Sequence, residues 1–171
     1  ITGFGSVIVN GVRFSTTTAS ITIDGRSGAS ESELKVGQVV EVRGRFDSNG
    51  TTGTATTITF DDSTEGPVTA VDTVAGTLVV LGQTVRVNGG TVFDDRFTTR
   101  SLAGIAIGSV VEVSGFRNAA GEIVATRIEP KVAGGTFELT GVVSALDTTN
   151  RRFNIGATVI NYANVTPSNG S

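Results

Sequence analysis

The sequence predicts an all-β protein made of small, OB-like, five-stranded Greek-key barrels repeated in tandem. Three observations lead to this fold class: a long internal repeat, an excess of Thr, Val and Gly, and short β-rich runs separated by turn residues. Branched side chains such as Val and Thr suit the pleated surface of a sheet, and Gly serves the turns between strands. We therefore expect strands rather than helices along the chain.

The repeat is carried by two stretches of similar sequence, residues 34–46 and residues 105–117. A fixed period over many positions indicates one supersecondary unit copied in tandem. The matching glycines and glutamates recur with a constant spacing of 71 residues: Gly37 with Gly108, Glu41 with Glu112, Gly44 with Gly115, and Gly50 with Gly121 in the turn behind.

The period divides the 171 residues into three parts. Residues 1–62 form a first barrel repeat that lacks most of its first strand. Residues 63–133 form a complete second repeat, and residues 134–171 form a partial third repeat with the first three strands. We expect the chain to begin at Ile1 and end at Ser171 inside a repeat, which leaves unpaired strand edges that proteins cover, charge or use for assembly.

Turn signals and alternation place the strands of the first repeat. Asn10-Gly11 lies between two β-rich runs and predicts a hairpin with a type I′ turn, because both residues tolerate a positive φ. In residues 40–46, valines and Phe46 share one face and charged side chains share the other. Gly44 interrupts the inner face, as glycines do where the strand of a small barrel bends sharply.

The second repeat shows the full strand order. Residues 68–72, 77–81 and 84–87 are predicted strands, with a turn at Gly82-Gln83. A short connector, the repeated strand and a strand at residues 123–128 follow. Three strands, a connector and two strands is the order of an OB-like Greek-key barrel. The third part adds predicted strands at residues 137–146, 152–155 and 157–162.

The composition argues against several classes of function. The net charge is −3 and only two lysines are present, Lys35 and Lys131, whereas nucleic-acid binders usually present a basic face. Without His or Cys, the chain has no usual zinc site, haem ligand, thiol nucleophile, Ser-His-Asp triad or disulfide. No apolar run approaches the ~18 residues of a membrane span. We expect no nucleic-acid partner, no membrane span and no cofactor.

Two glutamates are the first candidates for chemistry. Glu41 and Glu112 occupy equivalent strand positions, which indicates a repeated structural role. Each is interpreted as a solvated cross-strand charge, paired with Arg43 or with an arginine of a neighbouring strand. A general acid would need a perturbing pocket, for which the sequence carries no signal.

Two acidic pairs, Asp61-Asp62 and Asp94-Asp95, lie in predicted loops and could supply oxygen ligands to calcium. Acidic loop clusters are usually only solvated, so we predict no metal, catalytic or cofactor-binding residue. The phenylalanines have few basic neighbours and are interpreted as core residues rather than as a platform for stacking bases. Those within or beside strand patterns are Phe14, Phe46, Phe60, Phe93, Phe116 and Phe153.

Three stretches carry a resemblance to a known family: Gly3 to Phe14 (GFGSVIVNGVRF), Leu34 to Val42 (LKVGQVVEV) and Gly115 to Glu129 (GFRNAAGEIVATRIE). They resemble a bacterial family of tandem repeats classed as a domain of unknown function. The resemblance covers most of the chain, rests on structural glycines and valines, and implies no catalytic residue. It implies a secreted or lipid-anchored envelope protein of a Gram-negative bacterium. The family pattern has more Gly-rich sequence ahead of Gly3, which implies processing or truncation at Ile1.

These observations favour a non-enzymatic extracellular structural protein that serves as a fibre or filament subunit. An extended segment from a neighbouring chain would complete a partial barrel by strand addition, and such a head-to-tail contact builds a fibre. A cut from a longer repeat array would explain the incomplete repeats equally well. The alternative function is a secreted ligand- or carbohydrate-binding module that uses a barrel face or the loop from Asp94 to Arg100. A hydrolase would require a carboxylate pair in a cleft.

Overall fold

The computed structural model describes residues 5–165, which form strands, turns and two short 3-10 helices. The predicted chain ends at Ile1 and Ser171 lie outside the described residues. The chain divides into two units, residues 1–62 and residues 63–171. The prediction of an all-β fold with tandem repeats is confirmed.

The first unit forms one mixed sheet, with both antiparallel and parallel pairings, around its core. Its described strands are β1 (Ser6–Val9), β2 (Val12–Ser15), β3 (Ser20–Ile23), β4 (Arg26–Ser27), β5 (Val40–Phe46) and β6 (Thr52–Phe60), with a 3-10 helix at Glu31–Glu33. The strand order is β1-β2-β6-β3-β4, and β5 pairs with β6. On its other edge, β5 has no strand partner within residues 5–62 of this unit.

The second unit contains a closed barrel followed by a small sheet. The barrel region has β7 (Thr64–Asp72), β8 (Thr77–Val80), β9 (Gln83–Arg86), β10 (Val92–Phe93), a 3-10 helix at Leu102–Gly104, β11 (Val110–Arg117) and β12 (Ile123–Lys131). The remaining strands are β13 (Glu138–Leu139), β14 (Val143–Asp147), β15 (Arg152–Ile155) and β16 (Thr158–Asn161). The last three form a separate three-stranded sheet.

Five strands close the barrel of the second unit in the ring order β7-β8-β9-β12-β11. β11 is antiparallel to both β7 and β12, and the parallel pairing of β9 with β12 completes the ring. Three meandering strands followed by two that return between the third and the first is the predicted OB-like Greek-key order. The predicted connector joins β9 to β11, and its regular elements are β10 and the second 3-10 helix.

The 71-residue spacing also holds for the strands. It relates β1, β2 and β5 of the first unit to β8, β9 and β11 of the second. The β11–β12 hairpin is one residue shorter than the β5–β6 hairpin, because Gly115 pairs with Ala125 whereas Gly44 pairs with Ala55. Structurally equivalent residues of β6 and β12 are therefore 70 positions apart. Within residues 5–62, no strand corresponds to β7. This difference between the two repeats determines the candidate site.

The predicted bend at Gly44 is a β-bulge, and so is its counterpart at Gly115. The pairing register shifts between Arg43 and Gly44 in β5, and between Ser114 and Gly115 in β11. A Cβ atom at Gly44 would lie 2.1 Å from the carbonyl oxygen of Thr54. The bulge brings two backbones so close that only glycine fits.

The short turns follow the predicted chemistry with one correction. Asn10 and Gly11 have φ angles of 49° and 81°, which confirms a turn of two positive-φ residues. The turn predicted at Gly82-Gln83 was placed one residue too late. It consists of Leu81 and Gly82, with φ angles of 47° and 72°. Gln83 is instead the first residue of β9 and is buried.

The third part repeats the beginning of the barrel. β14, β15 and β16 follow β7, β8 and β9 by 75 residues in corresponding registers; Val143 pairs with Ile155 as Val68 pairs with Val80. The prediction of one strand over residues 137–146 was wrong, because the chain changes partner within it. β13 pairs with β7, whereas β14 pairs with β15.

Each unit has its own hydrophobic core. In the second unit the barrel interior is filled by aliphatic side chains, with Val80, Val85, Val111, Val113, Ile123 and Ile128 fully buried. In the first unit the core is smaller and centres on Ile58, Phe60 and Ala55. None of the described residues belongs to a helix long and apolar enough to cross a membrane.

Candidate functional site

The two equivalent glutamates have different surroundings. Glu41 is exposed and accepts a hydrogen bond from Arg43 Nε at 2.6 Å, as predicted. Glu112 is only 2% exposed, so the prediction of a solvated charge was wrong for this residue. In the second repeat β7 lies beside β11 and pairs Glu65 with Glu112, which removes that position from water.

Lys131 compensates the buried carboxylate. Its ammonium group forms ion pairs with Glu112 and, at 3.0 Å, with Glu65. Burial alone would lower the pKa of Lys131, but hydrogen bonds to Glu112 and Glu65 raise it well above its ordinary value. This arrangement joins β7, β11 and β12 through charge.

The loop carboxylate Asp94 is held by two arginines. Arg127, which is 6% exposed, pairs with Asp94 and at 2.9 Å with Glu129; Arg96 Nε donates to Asp94 at 2.7 Å. Burial tends to raise the pKa of Asp94, but the hydrogen bonds from Arg96 and the charges of Arg96 and Arg127 lower it overall. In this cluster both carboxylates, Asp94 and Glu129, are paired with guanidinium groups.

The other acidic candidates differ in exposure. Asp95 is exposed and forms an ion pair with Arg100 at 3.0 Å. Asp61 is exposed at the end of the first unit, and its neighbour Asp62 is 3% exposed. Calcium binding by Asp61, Asp62, Asp94 and Asp95 stays a question that the sequence leaves open.

A bidentate ion pair links β9 to the residue that precedes β12. Arg86 donates from Nε and Nη2 to Glu122 at 2.9 and 2.7 Å, and Asn118 Nδ2 adds a third hydrogen bond at 2.9 Å. These hydrogen bonds, led by that from Arg86, lower the pKa of Glu122 to about 2. The pair lies where the parallel contact of β9 with β12 closes the barrel.

We expect Glu122→Gln to weaken the dependence of the free energy of unfolding on pH in the acidic range. The folded-state pKa of Glu122 lies below its ordinary value of 4.5, so its contribution is present above that value and is lost as the pH falls toward about 2. The variant should be less stable than the wild type near pH 7 and lose less stability on acidification. Urea unfolding at about pH 7 and about pH 3 measures the difference.

Arg86→Gln provides the matched control for this prediction. It should weaken the pH dependence of the free energy of unfolding in the same way. The double variant should be little less stable than either single variant, because both changes remove the same interaction. A wild-type pH dependence of the free energy of unfolding in both single variants would contradict the role given to this pair.

The first repeat contains a groove of about 160 Å³ beside the open edge of β5. One wall is β1 with Asn10, and the other is the segment from Leu34 to Val40. In the second repeat the equivalent walls are β8 and the segment from Ile105 to Val111, and β7 lies between them. There the backbone N–H of Val68 donates to the carbonyl oxygen of Ser109, and the carbonyl oxygen of Val68 accepts from the backbone N–H of Gly108. Both distances are 2.8 Å.

Burial along the groove reflects the missing neighbour strand. Val80, Val111 and Val113 in the second repeat are each 0% exposed. Their equivalents in the first repeat are only partly buried: Val9, Val40 and Val42. The same apolar positions are therefore left partly open to water in the absence of a strand equivalent to β7.

The third part presents an apolar strip of its own. Val142, Val143 and Leu146 are 81%, 51% and 60% exposed. By the 75-residue spacing Val143 corresponds to Val68, which is 1% exposed within the closed barrel. A strand with the pattern of a core strand is thus largely uncovered among the described residues.

Sequence reasoning missed several contacts and misplaced two aromatic residues. Gln83 donates from Nε2 to the carbonyl of Ile155 at 3.0 Å and to Thr158 Oγ1 at 2.9 Å, which attaches the three-stranded sheet to the barrel. The core interpretation is correct for Phe14 and Phe60 but wrong for Phe46 and Phe116, which are 66% and 61% exposed. Both lie beyond the bulge glycines, where the register shift alters the simple alternation of faces.

Comparison with known proteins identifies one family. The family model described as "Domain of unknown function (DUF5666)" matches residues 1–64 and again residues 65–129. The two matches are tandem and agree with the repeat seen in the strands. No curated protein and no solved structure matches the chain.

Proposed function

We propose that this chain, which belongs to the DUF5666 family in two tandem copies, is a non-enzymatic structural protein that acts outside the cell and self-associates head to tail into a fibre. The carrying observation is the open edge of β5 with its apolar groove, at the position where the second repeat holds β7. Strand addition supplies main-chain hydrogen bonds along such an edge and side chains for the groove.

The asymmetry of the chain supports a fibre over a closed dimer. The acceptor edge belongs to the first repeat, whereas the uncovered apolar strand belongs to the third part. A contact between two different surfaces of identical chains is heterologous, and it extends into a filament unless its rotation closes a ring.

The non-enzymatic part of the proposal is supported by the engagement of the acidic candidates. Glu112 is bound to Lys131, and Asp94 is bound to Arg127 and Arg96. A glycosidase needs one carboxylic acid and one carboxylate facing a shared substrate position. The extracellular location is supported by the resemblance to envelope proteins stated above.

Val40→Lys is expected to weaken self-association about a hundredfold, because a charged side chain would have to be buried when a strand covers the groove. Val36→Lys is the matched control: Val36 also lines the groove, but its equivalent Ile107 stays 68% exposed even beside β7. Sedimentation velocity and negative-stain microscopy should show fibres for the wild type and Val36→Lys, and short or single particles for Val40→Lys.

Circular dichroism should confirm that both lysine variants keep the β fold. Equal assembly of Val40→Lys and Val36→Lys would exclude the groove as the contact surface. A wild-type chain that stays monomeric at high concentration would exclude the fibre.

The alternative function, binding of carbohydrate or of another envelope ligand, has less support from the site. The loop from Asp94 to Arg100 has its carboxylates paired with arginines. Only one Tyr and no Trp are available for a sugar-stacking platform. A glycan array with specific hits on a monomeric chain would favour this function over the fibre.

A further inference from the structure

We infer that the strand bound along β5 is the segment Leu139–Val143 of a second copy of this chain. The inference rests on the proposed self-association and assigns its second surface. It predicts that Thr140 of one copy lies opposite Glu41 of the next, in the antiparallel register that β7 adopts on β11.

The sequence of the third part matches β7. Residues 64–72 read TEGPVTAVD and residues 139–147 read LTGVVSALD, so that Gly66 aligns with Gly141, Val68 with Val143 and Asp72 with Asp147. The backbone follows the same pattern, because β14 pairs with β15 in a register corresponding to that of β7 with β8. This segment therefore carries the side-chain pattern of the strand that fills the equivalent groove in the second repeat, and from Val143 onward it is a strand in its own chain.

The register on β5 follows from the second repeat. There Glu112 pairs with Glu65, Val111 with Gly66 and Val110 with Pro67. We apply the 75-residue spacing to the β7 residues and the 71-residue spacing to the β11 residues. This places Thr140 opposite Glu41, Gly141 opposite Val40 and Val142 opposite Val39. Val143 would then cover the groove as Val68 covers its own.

Both surfaces gain burial in this arrangement. Val142 and Val143 are 81% and 51% exposed in their own chain. On the acceptor side Val40 and Val9 are only partly buried. Covering Val143 on the donor and Val40 and Val9 on the acceptor gives the contact an apolar driving force.

Charge distinguishes this donor from β7 itself. Glu65 of β7 is compensated by Lys131, which pairs with Val110 across β11 and β12. The 70-residue spacing places Asp61 at the corresponding position of the first repeat, and Glu41 lies exposed on β5. A donor with glutamate at this point would meet Asp61 where the second repeat has Lys131, and the charge of Glu41 is already paired with Arg43, whereas Thr140 is neutral. The neutral third-part sequence therefore needs no counterpart of Lys131 in the first repeat.

Cysteine pairing tests the register in the assembled protein. The chain has no cysteine of its own, so an introduced pair reacts without background. The Glu41→Cys, Thr140→Cys variant should form disulfide-linked oligomers under mild oxidation, because directly opposed residues in an antiparallel pair have Cβ atoms within disulfide range. The matched control is Glu41→Cys, Thr148→Cys, in which the second thiol lies in the exposed turn after β14. We expect about tenfold more linked oligomer for the first variant than for the control.

The possible outcomes separate this inference from the proposal on which it rests. Fibres that form without preferential linking of the Thr140 variant would overturn the donor assignment and leave self-association intact. Linking within a single chain, seen as a monomer on a non-reducing gel, would overturn the second copy as donor. A chain that neither links nor associates would overturn both proposals.

Discussion

Lys131→Met is expected to destabilise the second repeat by about 3 kcal/mol, because it leaves Glu112 and Glu65 without their cation. Glu112 is 2% exposed, and breaking a buried pair from one side leaves an uncompensated charge. The effect should fall at the low end of the range for buried pairs, since the Lys131 side chain is 28% exposed. Denaturant unfolding near neutral pH measures the loss.

Two further variants test the reason for this loss. Lys35→Met changes the only other lysine, which is exposed on the first repeat, and should alter stability by less than about 0.5 kcal/mol. Glu112→Gln combined with Lys131→Met should recover part of the lost stability by removing the uncompensated charge. If the double variant is less stable than Lys131→Met alone, the charge explanation is wrong.

Gly115→Ala is expected to destabilise the second repeat by about 3 kcal/mol, as overpacking against rigid backbone does. A Cβ atom at Gly115 would lie 2.4 Å from the carbonyl oxygen of Val124, which cannot move without breaking the β11–β12 ladder. Gly44→Ala should act in the same way on the first repeat, where the corresponding distance to the Thr54 oxygen is 2.1 Å. Thermal unfolding of the variants measures both effects.

Gly89 provides the control for the bulge glycines. An added Cβ atom there meets nothing within 4 Å, and its φ lies outside the positive region. Gly89→Ala should therefore leave stability unchanged or raise it by up to about 1 kcal/mol through the unfolded state. Similar losses at Gly89 and Gly115 would mean that the bulge geometry is not the cause.

Much of the fold could be predicted because it depends on local and periodic signals. The recurrence of Gly44 as Gly115 identified the repeat and its sharp bend, and Asn10-Gly11 identified a hairpin turn. Both signals act through backbone conformation, which a residue carries with it in any context. The OB-like order followed from counting strands between such turns.

The site could be predicted only in part because it depends on which strands are neighbours. Glu41 and Glu112 have equivalent positions in the sequence, yet one is exposed and the other buried, since β7 covers only the second. The role of Lys131 was missed for the same reason: its partners come from β7 and β11, and no short-range pattern links them. Gln83 likewise contacts residues more than 70 positions away.

The position of β7 also affects how the barrel folds. It is the first strand of its repeat, yet it must pair with β11, and Glu65 and Glu112 are 47 residues apart. Closure therefore carries a larger loop entropy than formation of the β11–β12 hairpin, whose partners are near neighbours in sequence. The segment from Leu139 to Asp147 has a sequence pattern similar to that of β7. Leu139-Thr140 would bring no carboxylate to Lys131, so the Lys131–Glu65 ion pair favours β7 over that segment at the edge of β11.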